Sequence, residues 1–133
     1  MTGLDTNVIV RVLTADDPTQ TAVATAALRQ PAWLAKSVIL ETAWVLGFTY
    51  DFTPDQIAAA LRKLTQLQLL EIEDRAQVGL ALTWFEQGFD FADALHLASA
   101  GPSLQFATFD RSFAKRANAL GGGPPMVLLN PPG

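Results

Sequence analysis

The sequence predicts an α/β fold with a short, mostly parallel β-sheet flanked by α-helices. Short apolar segments typical of strands alternate along the chain with longer amphipathic segments typical of helices. Half of the 133 residues are hydrophobic and only 17% are charged, which is enough apolar material for one compact domain with its own core. We therefore expect a single domain over residues 1–133, with residues 130–133 as a frayed tail.

The first half of the chain contains two clear signals for the beginning of a helix. Asp17 and Pro18 supply a capping acid followed by proline at the first helical position. Thr53 and Pro54 repeat that pattern, and Gln56 adds the second half of a capping box. The predicted elements of this half are, in order, a strand at residues 3–5 that runs into a helical turn, a helix at 19–29, a strand at 32–36, a helix capped by Ser37 and a helix at 54–67.

The second half alternates in the same way, and Gly88 and the pair Gly101-Pro102 stop two of its helices. The predicted elements are a strand at residues 69–72, a helix that begins at Asp74, a helix at 91–100, a strand at 105–109, a helix from Asp110 to about residue 120 and a strand at 126–129. Parallel sheets of this kind bind ligands at the carboxyl ends of their strands, so we expect the functional site there.

The residue types restrict the metal sites that the chain can form. It has no cysteine, which excludes disulfides and thiolate-bound metals, and its single histidine, His96, excludes a multi-histidine zinc site. Any metal must therefore be held mainly by oxygen.

A cytoplasmic protein without membrane contact is expected. The amino terminus has no basic segment followed by an apolar stretch. The longest apolar run, residues 38–50, is interrupted by Glu41 and is shorter than the roughly 18 residues that a membrane helix needs.

The formal net charge of −4 argues against a nucleic-acid partner, because phosphate binding normally requires a basic surplus. Divalent cations held by a group of acidic residues would cancel this charge and would set the local sign at the site. The acidic total therefore weakens a nucleic-acid function without excluding it.

Four acidic residues lie in or beside apolar segments, where an unpaired carboxylate is costly to bury. Asp5 and Asp110 each follow a strand-like segment and precede a helix, whereas Glu41 and Asp93 lie within apolar helical segments. Each has an ordinary alternative role: a helix cap for Asp5 and Asp110, a surface position for Glu41, and a favourable charge in a first helical turn for Asp93.

A parallel fold brings strand ends and first helical turns to one edge, so these four acids are expected to converge. Carboxylates at close range raise one another's pKa values, and they stay ionised together only with a cation among them. Oxygen donors in this number favour Mg²⁺ or Mn²⁺. We therefore predict that Asp5, Glu41, Asp93 and Asp110 form a catalytic metal site.

Four short motifs surround these acids, in order and over nearly the whole chain. They are Leu4-Asp5-Thr6-Asn7-Val8, Ser37-Val38-Ile39-Leu40-Glu41, Asp93-Ala94-Leu95-His96-Leu97-Ala98 and Ala107-Thr108-Phe109-Asp110. Together they resemble the PIN-domain family, in particular its VapC-like bacterial toxins. The resemblance implies an endoribonuclease that depends on Mg²⁺ or Mn²⁺, acts on tRNA or rRNA and is silenced by a cognate VapB-like antitoxin. It carries the family's acids over onto the same four residues, with Asp5 and Asp93 as direct ligands.

Neighbouring polar residues are candidates for supporting roles. Thr6, Asn7 and Thr108 can orient the acids or a bound water, although ordinary capping explains them equally well. His96 is interpreted as a packing residue. The candidate RNA-backbone donors, each of which is alternatively part of a solvated helix face, are Arg11, Lys36, Arg111, Lys115 and Arg116.

The aromatic residues between positions 38 and 67 exceed what a small core obviously needs. Trp44, Phe48, Tyr50 and Phe52 are candidates for a homodimer surface or for a groove that takes an antitoxin helix, and core packing is the alternative for each.

Two rival functions keep a similar fold. A catalytically silent PIN-like module that binds RNA or protein would be favoured by the loss of one of the four acids, and all four are present. A receiver or phosphatase domain would need paired aspartates after the first strand, and Asp5-Thr6-Asn7 lacks the second acid.

Overall fold

The computed structural model describes residues 1–130, and in this part of the chain seven helices alternate with five short strands. The strands are β1 (Thr2–Gly3), β2 (Ala32–Leu34), β3 (Leu70–Ile72), β4 (Phe106–Thr108) and β5 (Met126–Leu128). The helices are α1 (Thr6–Thr14), α2 (Pro18–Ala27), α3 (Lys36–Phe48), α4 (Pro54–Thr65), α5 (Arg75–Glu86), α6 (Phe91–Ala100) and α7 (Arg111–Asn118). Of the predicted frayed tail, Asn130 is exposed and residues 131–133 lie outside the described part.

The strands form two parallel sheets, with the order β1-β2-β3 in one and β4-β5 in the other. Thr2 pairs with Ala32, Ala32 with Leu70, and Phe106 with Met126. The predicted α/β class and parallel pairing are confirmed, although the strands are divided between two hydrogen-bonded sheets instead of one. Helices α1, α3, α5 and α7 begin within three residues of the ends of β1, β2, β3 and β4, so their amino termini lie at the carboxyl ends of the strands.

Two helices begin as their sequence predicts. Asp17 caps α2 by accepting a hydrogen bond from the Gln20 N–H at 3.0 Å, with Pro18 in the first turn. In α4 the Thr53 hydroxyl accepts from the Gln56 N–H at 3.2 Å, and the Gln56 side chain accepts from the Thr53 N–H at 2.9 Å. This reciprocal pair satisfies backbone donors that a helix leaves open at its beginning.

The predicted cap of α3 is wrong. This helix begins at Lys36, one residue before Ser37, and Ala35 at its cap position has no side-chain acceptor. Oε1 of Glu73 accepts from the Lys36 N–H at 2.9 Å instead. Because β3 pairs with β2, its end brings Glu73 to the beginning of α3, and a tertiary contact replaces the local cap.

The core is built from residues of both sheets and most helices, and it extends from Leu4 to Ala117. Residues with no more than 1% of their surface exposed include Leu34, Leu46, Leu61, Leu82 and Leu97. Every helix within residues 1–130 is too short or too polar to span a bilayer.

An ion pair joins α4 to α5 on the surface. The Arg62 guanidinium donates to both carboxylate oxygens of Glu86, at 2.7 and 3.3 Å, and to the Thr83 hydroxyl at 3.0 Å. These hydrogen bonds lower the pKa of Glu86 below its ordinary value.

The stability contributed by Glu86 should therefore depend on pH. A carboxyl with a lowered pKa in the folded state stabilises the fold above its unfolded pKa of about 4.3 and loses this effect as the pH falls through the folded value. We expect Glu86→Gln to lower the free energy of unfolding at pH 7 by about 0.2–1 kcal/mol, as for other exposed ion pairs. The difference from wild type should shrink below about pH 4.

Urea unfolding of wild type and Glu86→Gln at pH 7 and pH 3 measures this difference. Glu71→Gln, which alters an exposed glutamate on β3, is the matched control and should have a smaller effect. A cost of Glu86→Gln that stays the same at both pH values would contradict the expectation.

Candidate active site

Asp5 lies at the junction of β1 and α1, at the carboxyl end of the first strand. Its Oδ1 accepts a hydrogen bond from the Thr6 N–H at 2.8 Å and so caps α1. The residue is exposed, and this bond engages one of its two carboxylate oxygens. Because a carboxylate has lone pairs on both oxygens, Asp5 can cap the helix and hold a cation at the same time.

Thr6 connects this strand end to α3. Its side chain is buried, with 5% of the residue exposed, and its hydroxyl donates a hydrogen bond to Oε1 of Glu41. Glu41 itself is exposed in the second turn of α3. The bond fixes one carboxylate oxygen of Glu41 beside the residue that follows Asp5.

Asp93 lies in the first turn of α6 and is half-buried. Its N–H donates to Oδ2 of Asp90, the cap of this helix, at 3.1 Å. Burial raises the pKa of the Asp93 carboxyl above its ordinary value, and the charges of Asp90 and Asp110 raise it further, whereas His96 lowers it. Asp93 is thus held where its negative charge is disfavoured, which is typical of functional sites.

Asp110 follows β4 directly and caps α7. Its Oδ1 accepts from the Phe113 N–H at 3.0 Å, and its own N–H donates to the Thr108 hydroxyl at 3.0 Å. The carbonyl of Thr108 in turn accepts from the Leu129 N–H at 2.7 Å, which ties this strand end to the end of β5. Asp110 is exposed and lies close enough to Asp93 to influence its pKa.

The structure therefore groups the four acids as two neighbouring pairs. Asp5 and Glu41 are joined through Thr6, and Asp93 and Asp110 interact through their charges. Of the four acids, Glu41 lines a surface depression, and Ala92, the residue before Asp93 in the chain, lines it as well. Within residues 1–130, no three acidic or histidine side chains are arranged closely enough to hold a metal ion.

The chemistry of these donors nevertheless fits a hard divalent cation. All four are carboxylates, and oxygen ligands are those that Mg²⁺ and Mn²⁺ prefer. Asp5 and Asp110 each use Oδ1 as a cap acceptor, and a carboxylate offers a second oxygen. A cation beside Asp93 would also offset the burial and repulsion that raise its pKa.

The remaining supporting candidate, Asn7, is exposed and lines a shallow pocket of about 320 Å³ between α1 and α2, together with Val8 and Arg11. His96, interpreted as a packing residue, is exposed one turn after Asp93. Its charge lowers the pKa of Asp93, so it acts on the site electrostatically.

Two of the five candidate RNA-backbone donors are engaged within the protein. The Arg11 guanidinium donates to Gln20 at 2.6 Å and to Tyr50 at 3.0 Å, and it pairs with Asp16 at 3.3 Å. The half-buried Lys36 ammonium contacts partners on α5, α6 and the cap of α5, namely Gln77 at 2.8 Å, Ser99 at 3.1 Å and Asp74 at 3.0 Å.

The other three candidates lie on α7. Arg111 directly follows Asp110 at the beginning of this helix, and both Arg111 and Lys115 are exposed. The Arg116 guanidinium stacks over the Phe89 ring, 4.4 Å from its centroid. Arg111, Lys115 and Arg116 are all exposed, and Arg111 is the one that adjoins Asp110 in the chain.

Asp90 is the acidic residue whose contribution the sequence reasoning missed. It was predicted only to open α6, and it does cap this helix. Its charge also raises the pKa of Asp93. The spacing of three residues between two acids at the beginning of a helix was the available signal, because such residues lie on the same helical face.

The four aromatic candidates divide into two groups. Trp44 and Phe48 are exposed and stacked on each other. Phe52 packs against the core, and the Tyr50 hydroxyl donates to Asp16 at 2.8 Å and accepts from Arg11. Of the four residues, only Phe52 therefore packs against the core. Trp44 and Phe48 remain available on the surface.

Comparisons with curated proteins and with solved structures gave no significant match. The sequence profile of the PIN domain, in contrast, matches residues 4–119, a span that contains Asp5, Glu41, Asp93 and Asp110. PIN domains are generally nucleases, which supports a hydrolase that acts on nucleic acid. Given a match over most of its length, the chain belongs to the PIN-domain family.

Proposed function

We propose that this chain is an endoribonuclease dependent on Mg²⁺ or Mn²⁺, with Asp5, Glu41, Asp93 and Asp110 as its active site. The observation that carries the proposal is the placement of Asp93. Its half-buried carboxylate lies near two other acids, Asp90 at the cap of the same helix and Asp110 at the end of β4. Core packing does not require a half-buried carboxylate beside two other acids, whereas carboxylates that hold a cation are placed close together.

The reaction requires a water nucleophile and stabilisation of the charge that develops on the phosphoryl group. A bound divalent cation supplies Lewis-acid stabilisation and lowers the pKa of a water. Asp5, Asp93 and Asp110 would hold the cations, and Glu41, oriented by Thr6, would accept a hydrogen bond from the attacking water. A water nucleophile does not use the RNA 2′-hydroxyl, so the products should carry a 5′-phosphate and a 3′-hydroxyl.

The biological role, the RNA substrate and the protein partners are proposed from the resemblance of the four motifs. We propose that the chain is the toxin of a VapBC-like pair, that it acts on tRNA or rRNA in the cytoplasm, and that it forms a homodimer and binds a VapB-like antitoxin. The continuous core from Leu4 to Ala117 supports a single PIN domain over residues 1–133. Arg111, which is exposed and directly follows Asp110, is the basic residue best placed to contact the RNA backbone, with the exposed Lys115 further along the same helix.

A catalytically silent binding module is the second candidate function. It is favoured by the separation of the acids into two pairs, with no group of three ready to hold a metal in residues 1–130. The two candidates differ in whether a cation binds and whether RNA is cut.

Cation binding should stabilise the fold measurably. A ligand that binds only the folded state at a hundred times its Kd adds about 2.7 kcal/mol, so saturating Mn²⁺ should raise the Tm of the wild type by several degrees. In Asp93→Asn the shift should be lost, because an amide replaces the central carboxylate. Differential scanning fluorimetry with a Mn²⁺ titration measures both proteins.

Asp55→Asn is the matched control for this titration, because it removes an exposed aspartate from the first turn of α4, outside the site. Its Tm should rise with Mn²⁺ as in the wild type. Equal shifts for Asp93→Asn and the wild type would remove Asp93 from the proposed ligands.

Cleavage of RNA is the direct test. The purified wild type should cut a pool of tRNA and rRNA into discrete fragments with Mg²⁺ or Mn²⁺, and chelator should abolish the fragments. Asp93→Asn should lower the rate by more than about 100-fold, since even partners of metal ligands cost 10- to 100-fold. Intact RNA with folded, antitoxin-free wild type would support the binding module, and a cyclic phosphate on the products would contradict the water mechanism.

Thr6 should act as a positioning residue for Glu41. Thr6→Val keeps the buried shape and removes the hydroxyl that donates to Glu41. We expect it to lower kcat by about 10- to 100-fold, whereas Thr6→Ser, which keeps the hydroxyl, should retain most of the activity. Rates of RNA cleavage under saturating substrate distinguish the two, and equal losses would assign Thr6 a purely structural role.

A further inference from the structure

An exposed pair of aromatic rings lies on α3. Trp44 and Phe48 have 61% and 73% of their surface exposed. Their ring centroids are 4.7 Å apart with an angle of 10° between the planes, so they are stacked in parallel. Large apolar side chains that are exposed next to each other often belong to binding surfaces.

The pair adjoins the candidate active site. Trp44 follows Glu41 by three residues and therefore lies on the same face of α3. Trp44 and Glu41 both line one surface depression, and Ala92, the residue before Asp93, lines it as well. This depression has a volume of about 390 Å³, and its other lining residues are Ser37 and Leu40. Trp44 thus forms a wall of the same depression as Glu41.

The stacked Phe48 ring determines which face of the Trp44 indole is open. Phe48 lies one turn toward the carboxyl end of α3, and it covers one face of the indole. Ser37, Leu40 and Glu41 lie toward the amino end of the same helix, on the opposite side of Trp44. Phe48 therefore supports the ring from behind and leaves the other face for a ligand.

The charge of the depression decides which part of a nucleotide fits there. Its lining contains one ionisable residue, the acidic Glu41, and no basic one. A phosphate would be repelled at this wall, whereas a nucleobase is flat, uncharged and able to stack on an aromatic ring. With Arg11 and Lys36 engaged within the protein, stacking would also supply affinity that few free cations provide.

We propose that Trp44 is a stacking platform for an unpaired nucleobase of the RNA substrate, next to the bond that is cut. This inference rests on the proposed ribonuclease function and adds a residue that positions the substrate, because a base outside a duplex exposes its face to the indole. Trp44 is a positioning residue in this role, and Phe48 holds its ring in place.

Tryptophan fluorescence reports the stacking directly. In a Trp33→Phe background the remaining tryptophans are the exposed Trp44 and Trp84, which is 3% exposed. With Mn²⁺ and the Asp93→Asn substitution, or with chelator present, an oligouridylate should quench the emission in a saturable way without being cut. An RNA duplex of equal length should quench it much less.

Variants of Trp44 separate stacking from structure. Trp44→Ala should weaken binding of the single strand by about 10- to 100-fold, the range typical of losing one stacked base. Trp44→Phe should retain most of the binding, because it keeps an aromatic face. In wild-type background, Trp44→Ala should raise KM for cleavage of the tRNA and rRNA pool more than it lowers kcat, and Trp33→Phe should leave both unchanged.

Four outcomes would overturn the inference. In the first, Trp44→Ala binds and cuts RNA like the wild type, but its mass in solution is half that of the wild type. The aromatic pair would then be a contact between two copies of the chain. Equal quenching by single strand and duplex would remove the selectivity for unpaired bases. A wild type that neither binds nor cuts RNA would overturn the proposed function as well. If the wild type is active and Trp44→Ala binds and cuts RNA equally well, only the stacking role is overturned.

Discussion

Three helices begin at the candidate site, and each is capped by an aspartate: α1 by Asp5, α6 by Asp90 and α7 by Asp110. The first turn of a helix leaves backbone N–H groups without partners and carries a partial positive charge. Aspartates at these positions satisfy the open donors, and the helix termini in return stabilise the carboxylates. Removing such an acid would therefore affect the beginning of a helix as well as the site, so fold and chemistry depend on the same residues.

This arrangement explains how a chain with a net charge of −4 can hold several aspartates at the beginnings of its helices. The capping aspartates are exposed and compensated by helix termini, which leaves the half-buried Asp93 as the acid with the largest unmet electrostatic cost. Its position in the first turn of α6 offsets part of this cost. The neighbouring charges of Asp90 and Asp110 act in the opposite direction and raise the pKa of Asp93.

Local signals predicted the elements well where a helix is capped by its own neighbours. The capping box of Thr53 and Gln56 and the bounds of α6 agree with the sequence-based expectation. The prediction failed where the partner comes from elsewhere in the chain, as with Glu73 at the beginning of α3 and the contacts of Arg11 and Lys36. Likewise the sequence named the four acids, but the link from Thr6 to Glu41 spans 35 residues and follows only from the packing of α1 on α3.

In the proposed function, two consecutive turns of α3 carry residues that would contact RNA. One turn of this helix presents Glu41 toward the site, and the next presents Trp44, supported by Phe48. A carboxylate oriented by Thr6 and an aromatic face then stand about one helical turn apart, roughly 5 Å along the axis. A nucleotide whose base stacks on the indole would therefore have its backbone near the acids. Placement of the base, in addition to attraction of the phosphates, would then align the bond to be cut.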